Sequence, residues 1–187
     1  MSNNKYLIKI PDNITVLYCK KKNIITIIGT LTKKSLKLKV RLFILEKMIQ
    51  VTPFPSTKIS NKQKKNIFAI QGLTAAELKQ LLLETTYIYY KKLKLIGIGY
   101  RIFDVEELKN QIMLFKLGFS HPIYLKPMSQ INFFCINRVT LFLFSNDYKK
   151  ILQTAAFIKS HKRPDPYKGK GILYETDTII LKEGKKV

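Results

Sequence analysis

The chain has 187 residues, 46% of them hydrophobic, and a formal net charge of +22. This length is enough for one full domain or two small ones. The apolar fraction is high enough to bury a hydrophobic core, so the chain is expected to be globular. Self-repulsion at this charge disfavours a compact free monomer, so we expect a polyanionic partner, with nucleic acid the first candidate and an anionic membrane surface the second.

The first half of the chain predicts short strands followed by one helix. β-branched or alternating runs place strands at residues 14–19, 23–29, 35–40, 43–52 and 67–70, and a loop at 53–66. Thr74 and Glu77 have the spacing of a capping box, which predicts that the helix begins there. The apolar stripe of this helix comprises Leu78, Leu81, Leu82, Thr85 and Ile88.

The second half repeats the same order of elements. Strands are predicted at residues 92–101, 103–108, 112–117, 122–126, 131–136 and 139–144, and a last strand at 177–181. A helix between them is predicted from about Ser145 or Asp147 to Ser160. The helix stripe comprises Tyr148, Ile151, Leu152, Ala155 and Ile158. The repeated order predicts an α+β protein with two tandem, duplicated domains, 1–90 and 91–187. Each is expected to be a mainly antiparallel sheet with one helix packed on a face.

Composition narrows the cellular setting. Of the 34 basic residues only Arg41, Arg101, Arg138 and Arg163 are arginine, while Ile, Asn, Phe and Tyr are abundant. This bias indicates an A+T-rich gene and favours a mitochondrial, organelle-encoded protein, with a plastid or an A+T-rich bacterium as the alternative. Cys19 and Cys135 lie far apart in apolar runs, which predicts two buried thiols in a reducing compartment and no zinc site.

The most informative segment is the stretch 162–171, Lys-Arg-Pro-Asp-Pro-Tyr-Lys-Gly-Lys-Gly. Its prolines stop the preceding helix and predict an extended backbone, and its glycines permit close approach to another surface. In an extended arm Lys168 and Lys170 point the same way, toward RNA phosphates, and Tyr167 points the other way. The alternative is an ordinary solvated loop with Tyr167 packed on the domain.

Residues 164–172, Pro-Asp-Pro-Tyr-Lys-Gly-Lys-Gly-Ile, resemble the signature of the bacterial-type large-subunit ribosomal protein six family. Residues 94–101 (Lys-Leu-Ile-Gly-Ile-Gly-Tyr-Arg), 117–122 (Leu-Gly-Phe-Ser-His-Pro) and 11–14 (Pro-Asp-Asn-Ile) are similar to further family segments, in the same order. The segment 72–76 departs from the family pattern, because it lacks the Arg that usually follows a Gly-Thr at the first helix.

The resemblance implies two duplicated α+β domains and a structural, non-catalytic role in the large ribosomal subunit. It implies that the C-terminal domain contacts large-subunit rRNA near the sarcin–ricin loop, where translation factors dock, and that other ribosomal proteins are neighbours. Residues 94–187 hold 16 basic and eight acidic residues, against 18 and four in residues 1–93, so the second half needs a local cluster rather than bulk charge to make a specific site. The predicted RNA-binding residues are Arg101, Lys162, Arg163, Tyr167, Lys168, Gly169, Lys170 and Gly171.

The sequence argues against two other classes of function, an enzyme and a peripheral membrane protein. A nucleic-acid-processing enzyme would need acids such as Asp104, Glu106 and Glu107, which fall in one short segment expected to face solvent. Neither His121 nor His161 belongs to a catalytic set, and Gly97-Ile98-Gly99 lacks the third glycine of a dinucleotide site. We therefore predict no cofactor and no metal. A peripheral membrane protein would need a densely basic amphipathic helix, and neither helix has one.

Overall fold

A computed structural model describes residues 6–52, 61–105, 112–128 and 130–184. The chain divides into two compact units, Met1–Tyr87 and Ile88–Val187, each of which has its own hydrophobic core. Every pair of neighbouring strands in the described ranges is antiparallel. The prediction of an α+β protein in two tandem units is confirmed.

The first unit is built from two three-stranded sheets and one helix. Its elements are β1 (Leu7–Lys9), β2 (Thr15–Cys19), β3 (Ile24–Ile28), β4 (Lys33–Lys37), β5 (Arg41–Leu45), β6 (Met48–Thr52) and α1 (Asn61–Thr86). The strand orders are β1-β6-β5 and β2-β3-β4. Ile25, Ile27 and Ile49 are fully buried where the strands face α1, because alternate residues of a strand share one face.

Helix α1 begins well before the predicted capping box. Residues 67–70, predicted as a strand, are helical, and so is the part of the predicted loop from Asn61 onward. Thr74 lies inside the helix, where its hydroxyl donates to the Gln71 carbonyl at 2.9 Å, so it caps nothing. A run of four apolar residues has no period of its own, and here its neighbours Ala75, Leu78 and Leu82 extend the helical stripe.

The second unit combines a four-stranded and a three-stranded sheet with one helix. Its elements are β7 (Tyr89–Ile96), β8 (Arg101–Val105), β9 (Ile112–Lys116), β10 (Ile123–Leu125), β11 (Asn132–Asn137), β12 (Thr140–Ser145), α2 (Tyr148–His161) and β13 (Gly171–Tyr174). The strand orders are β11-β12-β7-β13 and β10-β9-β8. Helix α2 packs on the larger sheet through Ile151, Ala155 and Ile158, which confirms the core of its predicted stripe.

Two further expectations, one for each of two distant parts of the chain, are wrong. Residues 177–181 form no strand; the last strand is β13, which pairs with β7 and places Gly171 opposite Ile96. The cysteines are not both buried, because Cys19 is exposed at the end of β2 and Cys135 is half-buried in β11. Burial nevertheless raises the pKa of the Cys135 thiol, which donates to the Asn137 carbonyl at 3.1 Å.

Candidate nucleic-acid interface

The basic arm, residues 162–171, leaves the end of α2 and returns to the sheet. The helix cannot continue past Arg163, because Pro164 has no backbone donor and disfavours helical geometry in the residue before it. At the other end of the arm the Ile172 amide donates to the Lys162 carbonyl at 2.9 Å. The arm is therefore a closed loop whose two ends are joined by a hydrogen bond.

A turn organised by Asp165 forms the tip of the arm. The carboxylate of Asp165 accepts from the backbone amides of Tyr167 at 3.2 Å and Lys168 at 3.3 Å. The backbone of the same residue accepts from the Gly169 amide at 2.8 Å and donates to the Lys170 carbonyl at 3.0 Å. Gly169 has a φ of +68°, a left-handed conformation that glycine adopts without steric cost.

The predicted extended backbone is therefore wrong between residues 165 and 169. The argument that Lys168 and Lys170 point the same way does not hold for a turn, and in the structure Lys168 is exposed while Lys170 is half-buried. An Asp-Pro-x-x-Gly sequence is a turn pattern, with proline setting φ after the aspartate and glycine closing the turn. That pattern is the sequence signal for Asp165, which is not among the predicted site residues.

The side chains at the tip of the arm face solvent. Tyr167 is 56% exposed. Its ring therefore does not pack on the domain, as the alternative of an ordinary solvated loop requires. Arg163 and Lys168 are exposed, and Lys162 is half-buried. With Lys170, the arm carries four basic side chains against one carboxylate, and that carboxylate is engaged with backbone donors. The arm thus offers cations and an aromatic ring together.

The two glycines of the arm are buried and serve packing within the chain. A Cβ on Gly171 would lie 2.6 Å from the Pro164 Cα, and one on Gly169 would lie 3.3 Å from the Leu181 side chain. The Lys182 amide also donates to the Pro166 carbonyl at 2.9 Å. The close approach expected at Gly171 is thus made to the arm's own backbone, and it fixes the shape of the arm.

Two of the segments that share the family resemblance, 94–101 and 117–122, contact each other through Tyr100 and reach the arm through Phe119. The Tyr100 ring packs against Gly97 and Gly118, where an added Cβ would lie 2.8 Å and 3.1 Å from ring carbons. The next residue, Phe119, places its ring under Lys162, whose ammonium nitrogen is 4.3 Å from the ring centre. Sequence reasoning missed this cation–π contact, because the partners are 43 positions apart.

Arg101 stands apart from this cluster in the sheet topology. It is the first residue of β8, its side chain is exposed, and its strand belongs to the three-stranded sheet, whereas the arm leads into the four-stranded one. The structure therefore brings seven of the eight predicted site residues into one loop and leaves Arg101 on another sheet.

The carboxylate of Asp177 links the segment that follows the arm to helix α2. Asp177 Oδ2 lies 2.5 Å from the Lys159 ammonium of α2 and accepts from the Tyr174 amide at 3.1 Å. The hydrogen bond from Lys159, aided by the Tyr174 amide, lowers the pKa of the Asp177 carboxyl below its ordinary value despite partial burial. This contact ties the end of β13 to the helix that precedes the arm.

The residues considered for catalysis do not form a site in the described ranges. Asp104 is exposed on β8, while Glu106 and Glu107 lie outside the described residues. The His121 ring stacks on Phe119 with centroids 6.0 Å apart. His161 packs edge-on against Phe157, and its Nε2 is buried without a hydrogen-bond partner. No group of three metal-ligating side chains occurs among the residues that the structure describes.

Comparison with known proteins identifies similar chains in bacteria. The chain is 30% identical over 183 residues to a protein of Clostridium botulinum strain Loch Maree named large ribosomal subunit protein uL6. The matched stretch covers 97% of this chain and 95% of that protein. It is 34% identical over 125 residues, 67% of each chain, to the protein of the same name from Clostridium kluyveri. No family model matches the chain.

Proposed function

Because this chain belongs to the uL6 family of large ribosomal subunit proteins, we propose that it is a structural constituent of the large ribosomal subunit and binds the rRNA of that subunit. The observation that carries the proposal is the shape of the basic arm. The arm presents Arg163, Tyr167 and Lys168 to solvent, and the hydrogen bond from the Ile172 amide to the Lys162 carbonyl joins its two ends. A site held in place before binding loses less conformational entropy when it meets RNA.

Recognition by the arm rests on charge and shape. The lysines and Arg163 neutralise phosphates, and Tyr167 lies on a sugar or a base. Arg163 can donate two parallel hydrogen bonds to one phosphate, which a lysine cannot do. Arg101 contributes a separate contact from β8, outside the arm. The chain clamps the RNA fold and carries out no reaction.

The place of binding follows from the family resemblance. We propose that the second unit contacts rRNA near the sarcin–ricin loop, with other ribosomal proteins as neighbours and translation factors docking nearby. The arm that carries the family signature belongs to this unit, although the first half of the chain carries more net charge. A specific site needs a local arrangement of groups, which the arm provides, whereas scattered lysines give only non-specific attraction.

The compartment is a separate question. The amino-acid bias, which indicates an A+T-rich gene, favours a mitochondrial ribosome, whereas the relatives described above are bacterial and fit a bacterial cytoplasm. Both settings use a ribosome, and the bacterial relatives give no support to the mitochondrion. In the described ranges, no helix is long and apolar enough to cross a membrane.

Retention on ribosomes through a salt wash tests the proposal. A tagged copy of the full chain should co-sediment with large subunits and stay with them through a wash at moderate salt that strips loosely bound factors. A nucleic-acid-processing enzyme that visits the ribosome would be released by the wash. Release of the chain at the salt concentration that removes such factors would contradict a structural role.

A further inference from the structure

The second unit has aromatic rings on a surface that the arm does not use. Helix α2 covers one face of the sheet β11-β12-β7-β13, and residues at alternate positions form the other face. Strand register places Phe134 opposite Phe142 and Phe144 opposite Tyr90 on that other face. We call it the open aromatic face: Tyr90, Phe134, Phe142 and Phe144, with Lys92 and Lys94 of β7.

Two of the four rings, those of Tyr90 and Phe134, are exposed to a degree that folding alone does not explain, and the rings of Phe142 and Phe144 are half-buried. Tyr90 is 64% and Phe134 is 56% exposed, whereas Leu93 and Leu141, which point to the opposite face, are fully buried. Phe142 bridges the set, with its ring centroid 6.5 Å from that of Tyr90 and 6.0 Å from that of Phe144. A contiguous exposed group of large apolar side chains marks an interaction surface.

The charges beside the rings indicate the kind of partner. Lys92 places its ammonium nitrogen 5.5 Å from the centre of the Phe142 ring. Lys92 and Lys94 share one carboxylate, that of Glu175, at 2.6 and 3.7 Å, so the pair keeps one positive charge in excess. An apolar protein surface would desolvate that charge without compensation, whereas a phosphate would neutralise it.

Polar groups complete the match to a nucleotide. Asn132 stands opposite Phe144, and Thr140 stands opposite Lys94, both on the same face as the rings. The Asn132 amide supplies a donor and an acceptor of the kind that base edges require, and the Thr140 hydroxyl, whose oxygen accepts from the Asn137 amide at 3.4 Å, supplies a donor. Rings for stacking, cations for phosphates and polar groups for base edges are the three elements of a single-stranded nucleic-acid site.

We propose that the open aromatic face is a second RNA-binding site, which stacks unpaired bases on Tyr90, Phe134 and Phe142 while Lys92 and Lys94 meet the phosphates. Base-paired RNA cannot use it, because its bases are already stacked in the helix. The site goes beyond the function assigned to the basic arm and is independent of it. The occupant is a bulge, a loop or a strand end with accessible bases.

The test uses the full chain, a dye-labelled dodecamer of uridine and an abasic oligomer of the same length. Tyr90→Leu with Phe134→Leu removes two rings and keeps apolar side chains. Tyr124→Leu with Phe157→Leu is the matched control, because these residues are 61% and 54% exposed and lie on β10 and α2. We expect the first variant to bind oligouridine roughly tenfold or more weakly in anisotropy titrations, and the control to bind within about twofold of wild type. The abasic oligomer should bind wild type weakly and be indifferent to either change.

A second measurement does not depend on the folding of a variant. Photocrosslinking of wild type to a 4-thiouridine oligomer, followed by peptide mapping, should mark residues 89–96 and 132–145. Crosslinks confined to the basic arm, equal affinities for the two folded variants, or equal binding of the abasic oligomer would each overturn the proposal. Unchanged oligouridine affinity with loss of a neighbouring protein from the particle would assign the face to a protein instead. Any of these results leaves the salt-wash test of ribosomal function unaffected.

Discussion

Gly171 packs so closely against Pro164 that a Cβ at position 171 would stand 2.6 Å from the Pro164 Cα and 2.7 Å from its nitrogen. The two residues bracket the basic arm, one near its start and the other at its end, where β13 begins. The contact involves backbone atoms, which cannot rotate away as a flexible side chain can. The shape of the arm therefore depends on the absence of a side chain at residue 171.

Replacement of Gly171 by alanine should destabilise the chain although no charge is lost. The added methyl group must push the arm away from β13, and overpacking of this kind costs about 1–3 kcal/mol. Gly184→Ala is the control, because a Cβ at Gly184 meets nothing within 4 Å. Thermal melting should show a lower midpoint for Gly171→Ala alone, and rRNA binding should weaken with it. Equal midpoints for the two variants would show that the arm has room to adjust.

Asp165→Ala should weaken binding to an rRNA fragment, although it removes a negative charge from the arm. Simple electrostatics predicts the opposite sign, since one repulsive group disappears. In the structure the carboxylate holds the amides of Tyr167 and Lys168, and its loss costs the turn about 1 kcal/mol, or several-fold in affinity. Glu183→Ala removes an exposed carboxylate that follows the arm, and it should leave affinity unchanged or slightly improved. Tighter binding by Asp165→Ala would favour charge over shape.

Asp177 should make stability depend on pH in the acid range. Its pKa is lowered in the folded state, chiefly by the hydrogen bond from Lys159, so its contribution is fully present above the unfolded pKa of about 4 and is lost as pH falls through the lower folded value. Asp177→Asn should therefore reduce the free energy of unfolding at pH 7 by about 1 kcal/mol relative to wild type. Near pH 2, where the wild-type contribution is lost, the two proteins should have nearly the same free energy of unfolding. Chemical denaturation at both pH values measures this. A deficit that persists unchanged in acid would assign the effect to packing.

Binding to a cognate rRNA fragment should fall steeply as salt rises. With about six phosphate contacts the loss is roughly a thousandfold between about 50 and 200 mM salt. Lys168→Gln with Lys170→Gln should lower the slope of log affinity against log salt by roughly 1.5. Lys20→Gln with Lys21→Gln, two exposed lysines of the turn after β2, should leave the slope unchanged. A nearly flat response of the wild-type chain in a filter-binding titration would remove the electrostatic basis of the proposed function.

Elements with a clear period could be predicted from the sequence. The β-branched run in residues 23–29, the apolar run in residues 139–144 and the 3.6-residue stripe of α2 give β3, β12 and the second helix close to their observed bounds. The start of α1 could not be predicted in this way, because Thr74 and Glu77 satisfy a capping pattern in the middle of a helix. A local capping pattern does not start a helix where the apolar stripe extends to both sides of it, because burial of that stripe favours a continuous helix.

The residues of the arm could be identified from the sequence, and their geometry could not. Two prolines favour an extended chain, but Asp165 and Gly169 together favour a turn, and the turn prevails because its backbone donors find acceptors. Contacts between distant segments, such as Lys162 with Phe119, leave no local pattern. The open aromatic face was equally hidden, because aromatic residues in a strand are ordinarily assigned to the core.

Incorporation into large subunits of two variants with equal loss of charge tests the account most directly. One variant carries Gln in place of the four basic residues of the arm, Lys162, Arg163, Lys168 and Lys170. The other carries Gln in place of four exposed lysines of the first unit, Lys20, Lys21, Lys22 and Lys39. With both shown to be folded by circular dichroism, the arm variant should be largely absent from salt-washed large subunits, and the first-unit variant should be retained near the wild-type level. Equal retention, or a greater loss for the first-unit variant, would contradict the claim that the basic arm forms the main rRNA site.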